Sequence, residues 1–374
     1  MPVRRRRFLS PAWLVLSLPL YLGLRLLPGL TTSPWGAGIG IAVLAGACLL
    51  IPISVRRRDR SAWVGLVALG FFSTLFVMTV LRDVVLLCAR ASFGAAAYAA
   101  LIRPSAIGAL IVTALFTLVG FLVARRPRLV SVDIPIARLP VPLHGFSIAQ
   151  ISDVHVGPTI RRGFVERLVA RVNDLEADLI AVTGDLVDGS VEQLASHTAP
   201  LSKLSARHGA FFVTGNHEYY SGERAWTTEI ERLGLTVLKN EHVVLQHDGA
   251  LLVLAGVNDI GAHQFDPAQR SDPAAALHGA PAGAGAKILL AHQPSSATAA
   301  AQAGFDVQIS GHTHGGQFWP WNHFVRFFQP FTAGLHRLKD LSVYVSRGTG
   351  YWGPPNRFGV PSEITRIRLV PERS

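Results

Sequence analysis

The chain has 374 residues, with 35 Lys and Arg against 24 Asp and Glu, a formal net charge of +11, and only two cysteines. That length allows two or three folding units. Two cysteines, Cys48 and Cys88, exclude a disulfide framework or a thiolate metal site.

The charge is unevenly placed. Residues 1–128 hold fifteen Arg, two acids and no His (+13), while residues 129–374 hold 20 basic and 22 acidic side chains (−2) and all fourteen His. The arginines cluster beside apolar runs, which reads as membrane topology signal and not as a nucleic-acid surface.

From the N-terminus, four segments, about 8–27, 36–55, 62–81 and 105–124, reach the roughly 20 apolar residues that a bilayer crossing needs. The third extends past the Arg82-Asp83 pair, two opposite charges that are cheaper together in an apolar span than either alone. The stretch 92–102 is less apolar and reads as an interfacial or extracytoplasmic loop. Arginines gather at 4–7, 56–60 and 125–128, while 31–35 has none. The positive-inside rule and an even number of crossings both place residues 129–374 in the cytoplasm, on a multi-pass anchor in the cytoplasmic (inner) membrane. A twin-arginine export signal at Arg5-Arg6-Arg7-Phe8-Leu9 is the rival, but no small-residue cleavage site follows it.

Residues 129–374 suit one α/β domain. An edge strand at 129–136 precedes strand 146–152, a helix at 162–175, strand 179–184, a helix at 191–206, strand 210–214 and a helix at 223–233. Such alternation predicts a largely parallel, covered sheet. Segments 236–238, 242–246 and 250–255 read as antiparallel strands at a sheet edge or in a second sheet. A Pro/Ala/Gly-rich stretch, 266–285, has room for one short helix. Strand 287–291, a helix at 295–303, strand 307–310 and closing strands at 342–346 and 363–370 complete the reading.

Five of the apolar runs end in residues that can bind metal: Asp153-Val154-His155, Asp185, Asn216-His217, His292 and His312-Thr313-His314. Ligands bind beyond the carboxyl ends of strands in open α/β sheets, so these eight side chains are expected along one edge of one sheet. Asp153 and His155, at i and i+2, would point to one face if the chain is extended there. Asp185 suits a carboxylate bridging two ions 3.5–4 Å apart, roughly the spacing at which a pair clamps a phosphoryl centre. The mixture of imidazole, carboxylate and amide oxygen suits Mn, Fe, Zn or Co.

The motifs Ser152-Asp153-Val154-His155-Val156-Gly157, Gly184-Asp185, Gly215-Asn216-His217-Glu218, His292 and Gly311-His312-Thr313-His314-Gly315-Gly316 resemble the calcineurin-like metallophosphoesterase superfamily. The tail Ser346-Arg347-Gly348-Thr349-Gly350, with Asn356-Arg357, resembles its bacterial membrane-anchored branch. Glu218 stands where that family often has Asp.

The resemblance implies a two-layer β-sandwich flanked by helices, hydrolysing a phosphodiester, phosphomonoester or pyrophosphate with two divalent ions and a metal-bridging hydroxide. It implies one ion on Asp153, His155, Asp185 and His314, another on Asp185, Asn216, His292 and His312, and His217 left free for catalysis. Arg347 and Arg357 are candidate substrate-phosphate contacts, against a plain salt-bridge role. Asp188 is a candidate to orient a ligand histidine. The implied partners are the bilayer and a phosphoester, with a lipid-linked nucleotide of the UDP-diacylglucosamine type as one candidate. The alternative is a non-catalytic metal-binding scaffold.

Overall fold

The structure is a computed structural model that describes residues 11–56 and 62–372. The arginine clusters at 4–7 and 57–60 lie outside the described residues. The chain divides into two compact units, 1–119 with 353–355, and 120–352 with 356–374.

Among the described residues the first unit is built from helices α1 (Pro11–Leu30), α2 (Pro34–Arg56) and most of α3 (Ala62–Ala124). Among the described residues two helices, not four, are long and apolar enough to cross a bilayer. They are α2 and the 63-residue α3, which takes up both the third and the fourth expected spans. The loop expected at 92–102 is helical as well. Its run of alanines favours helix, and only Gly94, at φ 84°, breaks the rod. The Arg82-Asp83 pair also has partners beyond itself. Asp83 accepts from Arg25 of α1 at 2.8 Å and from the Tyr21 hydroxyl at 2.7 Å, while Arg82 donates to Ser105 and to the Ile102 carbonyl.

Among its described residues the second unit holds twelve strands in two mixed six-stranded sheets. In chain order these are β1 (Arg128–Ile136), β2 (Ser147–Ile151), β3 (Leu179–Val182), β4 (Ala210–Phe212), β5 (Thr236–Val237) and β6 (Glu241–His247). Then come β7 (Ala250–Gly256), β8 (Ala286–Leu290), β9 (Val307–Ser310), β10 (Gly334–Leu338), β11 (Leu341–Val345) and β12 (Glu363–Pro371). One sheet runs β1-β12-β2-β3-β4-β5 and the other β10-β11-β9-β8-β7-β6. The expected single sheet edge is instead divided between the two sheets. The metal-capable strand ends belong to β2, β3 and β4 of the first sheet and to β8 and β9 of the second.

The core explains this arrangement. β3 and β4 read as continuous apolar runs, β2 carries Ser147 and Gln150 among its apolar residues, and all three are buried on both faces. Ile148, Leu179, Ala181 and Phe211 pack in one cluster with Leu254, Ile288, Leu290 and Ile309 of the other sheet, so the sheets meet face to face. On the opposite face, Ile151, Ile180, Val182 and Phe212 pack beneath α4 (Arg162–Asn173), which buries Val165, Leu168, Val169 and Val172 at helical spacing. Each such side chain contributes about 1.5–3 kcal/mol through burial.

The helix expected over 191–206 stops early, as α5 (Val191–Thr198), and continues as a 3-10 turn that contains Pro200. Next come a short helix the periodicity did not signal, α6 (Asn216–Ser221), and the expected α7 (Glu223–Arg232). α8 (Pro273–Ala276) is the short helix of the Pro/Ala/Gly-rich stretch, and α9 (Ala297–Ala303) lies between β8 and β9.

Candidate metal centre

The loops after β2 and β3 are laced together before any side chain is considered. The Asp153, His155 and Val156 N–H groups donate to the carbonyls of Gly184, Asp185 and Leu186. Asp153, His155, Asp185, His312 and His314 all have φ between 52° and 71°. Asp153 and His155 therefore reach the site through left-handed backbone, not as neighbours on an extended strand. Non-glycine residues in this region cost about 1–3 kcal/mol each, a strain characteristic of functional sites.

Six of the eight candidates fall into two groups, and a third set joins His217 to His155 and Asp188. Asp153, His155 and His314 have ligand atoms within 4.8 Å of one another, as do Asp185, His292 and His312. In the first, Nε2 of His155 lies 3.0 Å from Nε2 of His314, and His314 Nε2 lies 3.5 Å from Asp153 Oδ1. In the second, His292 Nε2 lies 3.1 Å from Asp185 Oδ2 and 3.3 Å from His312 Nδ1. The same Asp185 Oδ2 lies 3.9 Å from His155 Nε2, so one carboxylate faces both groups.

Asn216 lines the same cavity as His312. It begins α6, and its side-chain Oδ1 is buried without a hydrogen-bond partner. An orphaned acceptor of this kind costs about 1–3 kcal/mol unless something is bound to it. Buried imidazoles facing carboxylates, with a spare amide oxygen, fit divalent cations of the N/O-binding type.

Electrostatics agree. Burial opposes charge on His292, yet Asp185, then Asp153 and Asp259, hold its pKa well above the usual imidazole range. Burial likewise opposes charge on His155, but Asp188, Asp185 and Asp153 raise it to about 9. Burial and the neighbouring His292 lower His312 to about 3, and burial with the Arg357 charge depresses His314. Burial opposes charge on Asp185 and Asp188, yet the facing imidazoles hold both well below the usual carboxylate range, whereas burial and the Asp185 charge raise Asp153. The site's negative charge is thus best balanced by cations, protons or metal ions.

Glu218 does more than the sequence disclosed. Fully buried, it accepts from the N–H groups of Asp185 (2.9 Å), Leu186 (2.8 Å) and Gly215 (2.7 Å). It clamps the Asp185 loop to the start of α6, three residues after Gly215, which is capping-box spacing and was the one available signal.

His217, which carries no assigned ligand duty, keeps about 16% of its side chain exposed. Its N–H donates to Asp185 Oδ1 at 2.8 Å, and its Nδ1 lies 2.6 Å from Asp188 Oδ1. Tyr220 and Trp352, both exposed, pack edge-on against its ring. A cavity of about 400 Å³ opens beside Asn216 and His312, lined by Tyr220, Phe265 and Asp259 among others.

The tail motif works on the backbone. Thr349 and Gly350 N–H groups donate to the carbonyls of Ser152 and Asp153. Arg357 is completely buried and donates to the carbonyls of His314, Arg347 and Gly350, with Nη2 also 2.9 Å from His314 Nδ1. That leaves its guanidinium nothing to offer a substrate. Arg347 pairs with buried Glu363 at 2.9 Å, the salt-bridge role. After the histidine loop, Phe318 is buried, whereas Phe324, Phe327 and Phe328 are exposed.

The chain matches the family model described as calcineurin-like phosphoesterase over residues 146–316, a span that contains all eight of these residues. It is 38% identical over 270 residues to a transmembrane protein with metallophosphoesterase domain from Danio rerio, covering 70% of this chain and 62% of that protein. The chain thus spans less than two thirds of that relative. An uncharacterised metallophosphoesterase of Helicobacter pylori is 36% identical over 252 residues, 66% of this chain and 65% of the other. One from Campylobacter jejuni is 30% identical over 323 residues, 84% of each chain, a stretch longer than residues 129–374 alone. With these matches falling across the eight residues, the chain belongs to the calcineurin-like metallophosphoesterase family.

Proposed function

We propose that this chain is a membrane-anchored phosphoester hydrolase working with two divalent cations, Mn, Fe, Zn or Co. The observation that carries the reading is Asp185, whose one oxygen faces His292 in one group and His155 in the other. Asp153, His155 and His314 would hold one cation and Asn216, His292 and His312 the other, with Asp185 shared. Bound cations supply charge neutralisation at the phosphoryl oxygens and an activated water at neutral pH. Asp188 holds the His217 ring by Nδ1, leaving Nε2 to face the reacting phosphate and donate a proton to the departing oxygen.

The anchor is read as multi-pass, with residues 129–374 on the cytoplasmic side, on the strength of the arginine clusters. A lipid-linked phosphoester or pyrophosphate is the substrate class we favour. Exposed Phe324, Phe327 and Phe328 supply apolar surface close in sequence to the histidine loop, and Tyr220, Phe265 and Trp352 surround the approach to His217.

The test uses the full chain in detergent, stripped with EDTA and reloaded with each metal. Chromogenic mono- and diesters and a lipid-linked pyrophosphate in mixed micelles serve as substrates. Turnover should require metal and prefer the lipid-linked compound. Undiminished turnover in Asp185→Asn would overturn the metal mechanism, and signal from a C-terminal reporter that is active only in the periplasm would overturn the topology.

A further inference from the structure

The last apolar helix runs directly into arginine. Arg125 and Arg126 follow Ala124, the final residue of α3, and Arg167 and Arg171 of α4 come to the same place. Together they line a cavity of about 350 Å³ whose remaining wall includes Phe164 and Leu168. The spacing accounts for this two-sided character. Arg167 and Arg171, one helical turn apart, make a cationic stripe, and Phe164 and Leu168, also one turn apart, make an apolar one.

No acid answers these charges. Among the described residues none of the four arginines makes an ion pair, and the nearby Glu166 is already held by Arg162 at 2.8 Å. Two of the four are fixed in place. Arg171 Nη1 donates to the Pro127 carbonyl at 2.5 Å, and the Arg125 guanidinium lies 3.9 Å over the Phe121 ring. Arg126 and Arg167 make no side-chain hydrogen bond among the described residues and are exposed. None of the lining residues belongs to the metal groups.

Four uncompensated guanidinium groups against an apolar wall, at the point where an apolar helix ends, match one chemistry. We propose that Arg125, Arg126, Arg167 and Arg171 form a second anion site that seats the phosphate of an anionic membrane phospholipid. Guanidinium groups grip phosphate oxygens in bidentate pairs. Phe164 and Leu168 meet the glycerol and the first acyl carbons. The site rests on the membrane anchoring proposed above but not on catalysis.

Native mass spectrometry of the full chain, released from detergent with equimolar phosphatidylglycerol and phosphatidylcholine of the same acyl length, tests this. Wild type should retain phosphatidylglycerol in about tenfold preference, and Arg126→Gln/Arg167→Gln should lose about that factor, given the strength of charge-assisted contacts. Arg162→Gln, on the same helix but outside the cavity, should behave as wild type. Metal content and hydrolysis of a soluble diester should not change in the double variant. If the double variant loses its metal, showing a damaged fold, Arg126→Lys/Arg167→Lys carries the test. It keeps the charge, loses the bidentate fork, and should show an intermediate loss. Equal retention of the two lipids by wild type, or undiminished retention by the variants, overturns the site. Displacement of the lipid by millimolar inorganic phosphate would make it a free-phosphate site and overturn the lipid assignment. Extraction of the chain from membranes without detergent would instead defeat the anchoring, a distinguishable failure.

Discussion

Asp188 Oδ1 lies 2.6 Å from Nδ1 of His217, and the same oxygen lies 3.0 Å from Nδ1 of His155. One carboxylate thereby orients both a candidate ligand and the candidate catalytic imidazole. Burial opposes its charge, but His155 and then His217 hold its pKa far below the usual carboxylate range, so it serves as an acceptor for both rings. Asp188→Asn replaces that shared acceptor with an amide that can satisfy both rings only poorly. Turnover or metal affinity should fall about 10–100-fold, as is typical when the partner of a ligating histidine is lost. Steady-state kinetics together with metal analysis measure both.

His217→Ala should separate binding from chemistry. Because the ring contributes no atom to either metal group in our assignment, the variant should keep its full metal content while kcat falls about 10²–10⁴-fold, the range for general acid catalysis. The loss should be larger for an alkyl ester than for a nitrophenyl ester, whose leaving group departs without a proton. An equal loss on both would show that His217 acts on charge alone.

Glu218→Ala would orphan three buried N–H donors at once, those of Asp185, Leu186 and Gly215. Each unsatisfied donor costs about 1–3 kcal/mol, less than additively. A clearly lowered Tm with weakened metal binding is expected, and Glu218→Gln should be milder because its amide oxygen still accepts. Calorimetry on the metal-free and metal-loaded forms checks this.

Gly184→Ala tests the closeness of the two sheets' loops. Gly184 sits at φ 84°, and a Cβ there would lie 2.6 Å from the Gly215 nitrogen and 2.7 Å from His292 Nδ1. Left-handed strain alone costs about 1–3 kcal/mol, and the backbone contact adds to it. The variant should unfold at lower temperature and bind metal less tightly. An unchanged melting curve would contradict this packing.

Metal removal should itself destabilise the fold. A cation present at 100 times its Kd contributes about 2.7 kcal/mol per site to the native state. EDTA should therefore lower Tm, and the Asp185→Asn variant should show little further decrease on chelation.

Much of the site was legible because it is written locally. A buried strand is a short apolar run, and the residue that follows it is its neighbour in sequence, so Asp153, Asp185, Asn216, His292 and His312 could be placed at strand ends without tertiary information. Their joint order then carried the family resemblance. The local signal misled where local rules are weak. The alanine-rich stretch around Gly94 read as a loop from polarity, whereas its backbone propensity favours helix. Strand β10 leaves no clear signal in the sequence because its residues alternate between half-buried and exposed and lack a clean apolar face.

By itself, then, the sequence determined the identity of the metal-capable side chains and the strands that end in them, since both depend on neighbours along the chain. Only the tertiary structure decided that two sheets, not one, deliver them, because strand partners are chosen by non-local pairing and face-to-face packing. It also decided that Asp153, His155, Asp185, His312 and His314 arrive on left-handed backbone, that Glu218 clamps two loops, and that Arg357 spends its donors on carbonyl groups and the His314 ring. Each of those roles depends on what surrounds the residue in space, a property that no spacing along the chain encodes.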